Sequence, residues 1–291
     1  MFQGSCVALI TPFANGSVDE KCFQNFVQWQ IDEGTEGVVP VGTTGESPTL
    51  THEEHMRVVE LCVEVAKGKI PVIAGTGSNS TAEAIMLTEH AEKAGADAAL
   101  VVTPYYNKPS QEGLYQHFKA IHDATEIPIV IYNIPGRSVV DMNVDTMARL
   151  AKLPRIVGVK DATADLSRPQ LTTIHCGEDF DQLSGEDASA LPYLAAGGHG
   201  CISVSCNVAP RLLAEMHRAW RERNIDRAME IQNRLTPLHK AMFCEPSPAP
   251  AKYAAELLGL ATRHVRQPLV ELTDAGKKQV RDAMVFAGLL N

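Results

Sequence analysis

The chain has 291 residues, 45% hydrophobic and 21% charged, and its 26 basic against 35 acidic side chains give a formal charge of -9. This composition suits a globular protein with a sizeable core and excludes a disordered chain. The acidic balance leaves no electrostatic footprint for a nucleic-acid backbone or an anionic membrane, so neither is an expected partner.

The opening "MFQGSCVALITPF" has no basic n-region, and its apolar run breaks at Thr11-Pro12. It reads as neither a signal peptide nor a membrane span, and the expected location is the cytoplasm. Short apolar runs then recur in order: "CVALI", "GVVPV", "IPVIAG", "DAALVV", "IPIVIY", "RIVGVK", "FDQLSG" and "GCISVS". Between them lie stretches with apolar residues at helical spacing. Phe23, Phe26, Val27, Gln30 and Ile31 mark one over 19–34; Met56, Val59, Val63 and Ala66 mark another over 52–67.

Eight alternating units predict an α/β fold, a (β/α)8 TIM barrel, a type that often reaches about 250 residues as one unit. A doubly wound sheet fits less well, because no dinucleotide fingerprint follows the first strand. The nearest match, "GTGSNS", follows the third strand and has Ser80 where the last glycine belongs. From about 224 the strand signal stops, and "PSPAP" at 246–250 interrupts helical sequence. The expected division is a catalytic barrel over 1–223 and a C-terminal helical extension over 224–291. Seven scattered cysteines lack the spacing of a zinc site or disulfide framework, so reduced packing thiols and no metal are expected.

A barrel carries its chemistry at the carboxyl ends of its strands. Here those ends read "GTTGES" (42–47), "TPYYNKP" (103–109), "YNIPGR" (132–137), "KDAT" (160–163), "SGED" and "SVSCN". Strand alternation predicts Ile156, Gly158 and Lys160 on one face, and Pro128, Val130 and Tyr132 on the matching face of the strand before. Tyr132 and Lys160 then reach the barrel mouth together, where hydroxyl and amine can meet.

Lysine is ordinarily exposed, its stem packed and its ammonium in water. The alternative for Lys160 is a Schiff-base nucleophile, because removing an amine from water favours the neutral form that attacks a carbonyl. Imine chemistry needs proton transfers in both directions, which the Tyr132 hydroxyl can supply; a half-buried strand aromatic is the ordinary alternative. Thr43 and Thr44 can offer hydroxyls and backbone N–H groups to a carboxylate, or simply form a glycine-flanked turn. "GTTGES" is not a P-loop. Arg137, after the Pro135-Gly136 turn, suits a bidentate carboxylate contact or a plain surface position.

The combination "GTTGES", "YYNKPSQEGLYQHF", "YNIPGRS", "GVKDAT" and "GCISV" resembles the dihydrodipicolinate synthases, and the similarity extends through "CEPSPAPAKYAAELLGL" in the tail. The resemblance implies a class I aldolase-like condensation of pyruvate with L-aspartate 4-semialdehyde, without a metal or organic cofactor. It implies that Lys160 forms the pyruvate imine and that Tyr132, Thr43 and Tyr106 relay protons, with Tyr106 entering from the partner subunit of a tight dimer. Thr44 would bind the pyruvate carboxylate and Arg137 that of the semialdehyde, while the main chain at Gly185 and Ile202 contacts the keto acid. The assembly implied is a homotetramer, a dimer of tight dimers. N-acetylneuraminate lyases share the lysine and tyrosine but usually carry "GSTGE" and lack the arginine, so Thr43 and Arg137 favour the synthase. Asp161 stands where glutamate is common, and "SVVDM" replaces a Thr-Gly pair.

Thr51 and Glu54 in "TLTHEEH" have capping-box spacing and open a helix, with His52 and His55 one turn apart. The spacing excludes a zinc-protease motif, and two surface histidines are the ordinary reading. The resemblance adds a lysine feedback pocket from Ser47, His52, His55, Asn79, Glu83 and Tyr105, with Pro48 replacing alanine. L-lysine is therefore an expected ligand. A silent barrel serving as a keto-acid or lysine sensor, or another keto-acid aldolase, are the competing functions.

Overall fold

The structure, a computed structural model, describes residues 2–291. Eight parallel strands form the barrel: β1 Gly4–Ala8, β2 Gly37–Val39, β3 Ile73–Gly75, β4 Ala98–Val102, β5 Ile129–Asn133, β6 Ile156–Asp161, β7 Asp181–Ser184 and β8 Gly200–Ser203. Their order is β2-β1-β8-β7-β6-β5-β4-β3, and a parallel bridge from Val38 to Val72 closes the ring. Each predicted apolar run overlaps one of these strands. A small antiparallel hairpin, Phe13–Ala14 with Ser17–Val18, follows β1 and was not predicted.

Between the strands run α1 Glu20–Asp32, α2 His52–Ala66, α3 Thr81–Ala94, α4 Gln111–Ala124, α5 Pro135–Ser138, α6 Val144–Leu150, α7 Arg168–Cys176 and α8 Ala190–Ala195. After the last strand come α9 Pro210–Arg221, α10 Ile225–Ala241, α11 Ala249–Leu257 and α12 Asp274–Phe286. The α2 start is the predicted capping box: the Thr51 hydroxyl accepts from Glu54 N–H, and the Glu54 carboxylate accepts from Thr51 N–H at 3.0 Å.

Two apolar layers follow from strand alternation. Inside the barrel lie Cys6, Val39, Leu100, Val130, Tyr132, Leu183 and Ile202. Outside, Ile129, Ile131, Ile156 and Val159 pack with Leu114 and Phe118 of α4. On the other flank Val7, Leu9 and Val38 share one core with Ile231, Leu235 and Leu238 of α10 and Val280 of α12, so the C-terminal helices bury their apolar faces against the barrel.

The predicted face pattern of β6 holds only in part. Ile129 pairs with Ile156 but Val130 pairs with Gly158, so β6 carries one extra residue, a bulge. Ile156 consequently faces the outer layer, whereas Val157 packs against the barrel interior with Lys160 beyond it. Gly158 is needed at this point, because a Cβ there would lie 2.4 Å from the Asp181 carbonyl oxygen.

Candidate active site

After the bulge, β5 and β6 run in register, with Tyr132 opposite Lys160 and Asn133 opposite Asp161. Lys160 is 6% exposed, and its Nζ sits 4.2 Å from the Tyr132 ring centroid, over the ring face rather than at the hydroxyl. The expected meeting of hydroxyl and amine is thus replaced by a cation–π contact. Gly185 closes in from β7: its N–H donates to the Asp161 carbonyl at 2.7 Å, and a Cβ there would lie 3.2 Å from Lys160 Cε. Ile202 is fully buried on β8, inside the barrel.

The next residues along β5 and β6 point outward into a second polar group. The Asn133 amide donates to Asp141 Oδ1 at 2.7 Å and accepts from the Met142 N–H at 3.0 Å. Arg168 Nη1 donates to both Asp141 oxygens, at 2.8 and 2.9 Å, and its Nε lies 3.7 Å from Asp161. Burial raises the Asp161 carboxyl above its ordinary range, against hydrogen bonds from the Thr163 hydroxyl and N–H and the charge of Arg168. This group locks the strand ends behind Tyr132 and Lys160.

A cavity of about 430 Å³ opens in front of Tyr132, lined also by Gly42, Thr43, Ile134 and Arg137. Thr43 belongs to a short 3-10 turn, Thr43–Gly45, whose Gly45 carbonyl accepts from the Thr11 hydroxyl at 2.7 Å; Thr44 is buried within the turn. Arg137 lies within the single turn α5 and is exposed at the rim. Lys160 touches Tyr132 but is not among the lining residues. Tyr106 is 89% exposed, in a left-handed conformation with φ of 72°, and the single chain does not bring it to the cavity.

The same cavity continues to Ser47, His52, His55, Glu83 and Tyr105. His52 Nε2 bonds Glu83 at 2.7 Å, and the Ser78 hydroxyl donates to the other Glu83 oxygen. The Ser78 bond and then His52 hold the Glu83 carboxyl below its ordinary range, against some burial. His55 is buried rather than on the surface, because α2 turns it inward; burial depresses its imidazole to about 4, partly opposed by the Gly75 backbone. Asn79 does not line the cavity; its carbonyl accepts from the Asn107 amide at 2.8 Å.

Sequence reasoning missed a buried ion pair beside these threonines. Lys252 of α11 is 0% exposed, and its Nζ lies 2.5 Å from Glu46 Oε1, directly after the Thr43–Gly45 turn. Burial pushes this ammonium down to about 8, against the opposing Glu46 carboxylate. The signal was available: "APAKYAA" sets a lysine inside an apolar helix, the same anomaly that singled out Lys160. Among the described residues, no group of three or more His, Cys, Asp or Glu side chains is arranged to hold a metal ion, and no helix is long and apolar enough to cross a membrane.

A parallel barrel with a buried lysine and a tyrosine paired at its mouth has the ground plan of an imine-forming aldolase. The model of the dihydrodipicolinate synthetase family matches residues 1–286. Curated relatives named 4-hydroxy-tetrahydrodipicolinate synthase include one from Rhodospirillum centenum, 66% identical over 290 residues and all of both chains. Another, from Bradyrhizobium diazoefficiens, is 62% identical over 290 residues, all of this chain and 98% of that one. Among solved structures, dihydrodipicolinate synthase from Aquifex aeolicus superimposes with a TM-score of 0.97 at 47% identity over 99% of both chains. The chloride-inhibited Acinetobacter baumannii enzyme complexed with pyruvate gives 0.97 at 45% identity over 100% of both. The Cyanidioschyzon merolae enzyme with lysine bound gives 0.96 at 37% identity over 99% of both. The chain belongs to the dihydrodipicolinate synthetase family, whose members are lyases of the class I aldolase type.

Proposed function

We propose that this protein condenses pyruvate with L-aspartate 4-semialdehyde to give 4-hydroxy-tetrahydrodipicolinate, the committed step of the branch to diaminopimelate and lysine. The observation that carries the reading is the Lys160–Tyr132 pair, placed side by side by the β5–β6 register within a chain 66% identical to a synthase of that name. The Lys160 amine adds to the pyruvate ketone, and loss of water gives the imine. Loss of a methyl proton converts this to the enamine, whose carbon attacks the aldehyde. Attack by the substrate's own amine on the imine carbon then closes the ring and releases Lys160.

Tyr132 and Thr43 carry protons in these steps, joined by Tyr106 from a partner subunit in a homotetramer built as a dimer of tight dimers. The 89% exposure of Tyr106 in one chain supports a position on an interface. Thr44 holds the pyruvate carboxylate against the main chain of Gly185 and Ile202, and Arg137 receives the carboxylate of the semialdehyde. The barrel over 1–223 carries the chemistry, 224–291 is its helical extension, and the location is the cytoplasm.

Borohydride reduction in the presence of pyruvate, followed by peptide mapping, tests this. The adduct is expected on Lys160 and absent from Lys160→Ala; an adduct elsewhere, or a fully active alanine variant, overturns the reading. Turnover with pyruvate and aspartate semialdehyde, and not with alternative aldehydes, separates it from another keto-acid aldolase; no turnover at all indicates the sensor.

A second role rests on one specific observation, the continuation of the cavity to His52, His55 and Glu83. There Ser47, Asn79 and Tyr105 would join them in a feedback site for L-lysine, with Glu83 facing the ligand's ammonium.

A further inference from the structure

Glu46 is doubly improbable where it stands. Its backbone is left-handed, φ 58° and ψ 34°, a conformation glycine adopts at less cost, and its carboxylate is buried at 2% exposure. A chain that needed only the turn would place glycine or asparagine here, so the carboxylate itself is required. It is gripped entirely by the C-terminal extension: Oε1 by Lys252, and Oε2 by the Arg266 N–H at 2.9 Å. Lys252 in turn donates to the His264 carbonyl at 2.6 Å and lies 4.0 Å from the Phe13 ring centroid.

Arg266 continues the grip along the same segment. Its guanidinium donates to the Thr49 carbonyl at 2.9 Å, to both Glu54 oxygens at 2.6 Å, and to the Gly16 carbonyl at 2.8 Å. Glu54 is the residue that completes the α2 capping box. The Glu46 N–H donates back to the Thr43 carbonyl at 3.2 Å, so holding Glu46 holds the turn that carries Thr43 and Thr44.

We propose that Lys252 and Glu46, braced by Arg266, are positioning residues for Thr43 and Thr44, through which the C-terminal extension sets the pyruvate side of the active site. This rests on the function assigned above, with Thr44 at the pyruvate carboxylate and Thr43 in the relay. Arg137, which receives the other substrate, stands on the separate α5 turn and lies outside the device.

The test uses the full chain with the double substitution Glu46→Gln/Lys252→Met, which removes both buried charges together and strands neither. The KM for pyruvate is expected to rise at least fivefold and kcat to fall about tenfold, with the KM for the semialdehyde unchanged. A purely structural role would lower the active fraction, and with it kcat, leaving both KM values alone; that result, or wild-type kinetics in a folded double variant, overturns the proposal. If the double variant does not fold, Arg266→Gln decides: its side chain is 22% exposed, and the expected effect is a three- to tenfold loss of kcat/KM for pyruvate. An Arg266→Gln enzyme with unchanged kinetics likewise overturns it. Borohydride trapping on wild-type Lys160 keeps the two claims apart, since failure there removes the assigned function, whereas equal trapping rates in wild type and variant remove only the positioning role.

Discussion

Lys160 and Tyr132 occupy directly opposed positions on neighbouring parallel strands, with the ammonium 4.2 Å from the centre of the phenol ring. Among the described residues no protein group hydrogen-bonds the Tyr132 hydroxyl, so ring and hydroxyl have separable duties. The ring packs against the lysine; the hydroxyl is free for a substrate. Tyr132→Phe keeps the first and removes the second. Its melting temperature is expected within a few degrees of wild type, while kcat falls by about 10²–10⁴-fold, the range for loss of a general acid–base group. Steady-state kinetics beside a thermal melt check both halves; an active phenylalanine variant removes Tyr132 from the relay.

Arg137 is exposed at the cavity rim, so its loss should leave stability untouched. With Arg137→Met, the KM for aspartate semialdehyde is expected to rise about 10- to 100-fold, the equivalent of a charge-assisted hydrogen bond of about 1.5–3 kcal/mol. The pyruvate KM should move less than twofold. The two titrations, each at saturating co-substrate, give the comparison; an equal rise in both would place Arg137 at the wrong substrate.

Acid should weaken the fold through its buried histidines. Burial depresses His55, His117 and His217 to about 4 from the ordinary 6.5, and shifts His239 the same way. Between these values the unfolded chain binds protons that the folded chain refuses, so stability falls as pH drops from 6.5 towards 4 and is fully present above 6.5. Each histidine contributes about 1.4 kcal/mol per pH unit within that window. Both nitrogens of His217 lack a hydrogen-bond partner among the described residues, so His217→Gln should remove roughly a quarter to a third of the slope. Urea unfolding at several pH values measures it, and a slope equal to wild type would contradict the assignment.

If the His52–Glu83 end of the cavity receives L-lysine, inhibition should appear in a dose series and depend on the Glu83 charge. Glu83→Gln is expected to raise the half-inhibiting concentration by about tenfold or more, with uninhibited turnover preserved. Flat wild-type activity up to millimolar lysine would remove the site, and would implicate Pro48 in its loss.

How much of this was legible depended on the range of the interaction. The eight apolar runs, the strand-end motifs and the Thr51–Glu54 capping box are local patterns, and each could be taken from the residues alone. The Phe13–Val18 hairpin was missed because two-residue strands have no periodicity to detect. The ordinary surface reading of His55 fails because a capping box locates a helix but not which side of its first turn meets the core. Lys252 and Glu46 stayed invisible as a pair because nothing local joins a loop to a tail; the neighbouring Glu46–Arg266 contact spans 220 residues. The candidate catalytic residues stood at strand ends, where fold geometry fixes their company in advance.

The extra residue in β6 has one more implication. Inward and outward alternate with strict parity along a strand, and Ile156 begins facing the helices. Counted without interruption, the fifth position would face the helices too. The insertion at Val157–Gly158 reverses the parity, so the amine arrives in the interior. A strand of the same length that paired without the bulge would leave every other barrel strand in place yet turn the Lys160 amine towards the outer shell, so one irregularity of pairing decides whether the proposed nucleophile meets the cavity side or the helices.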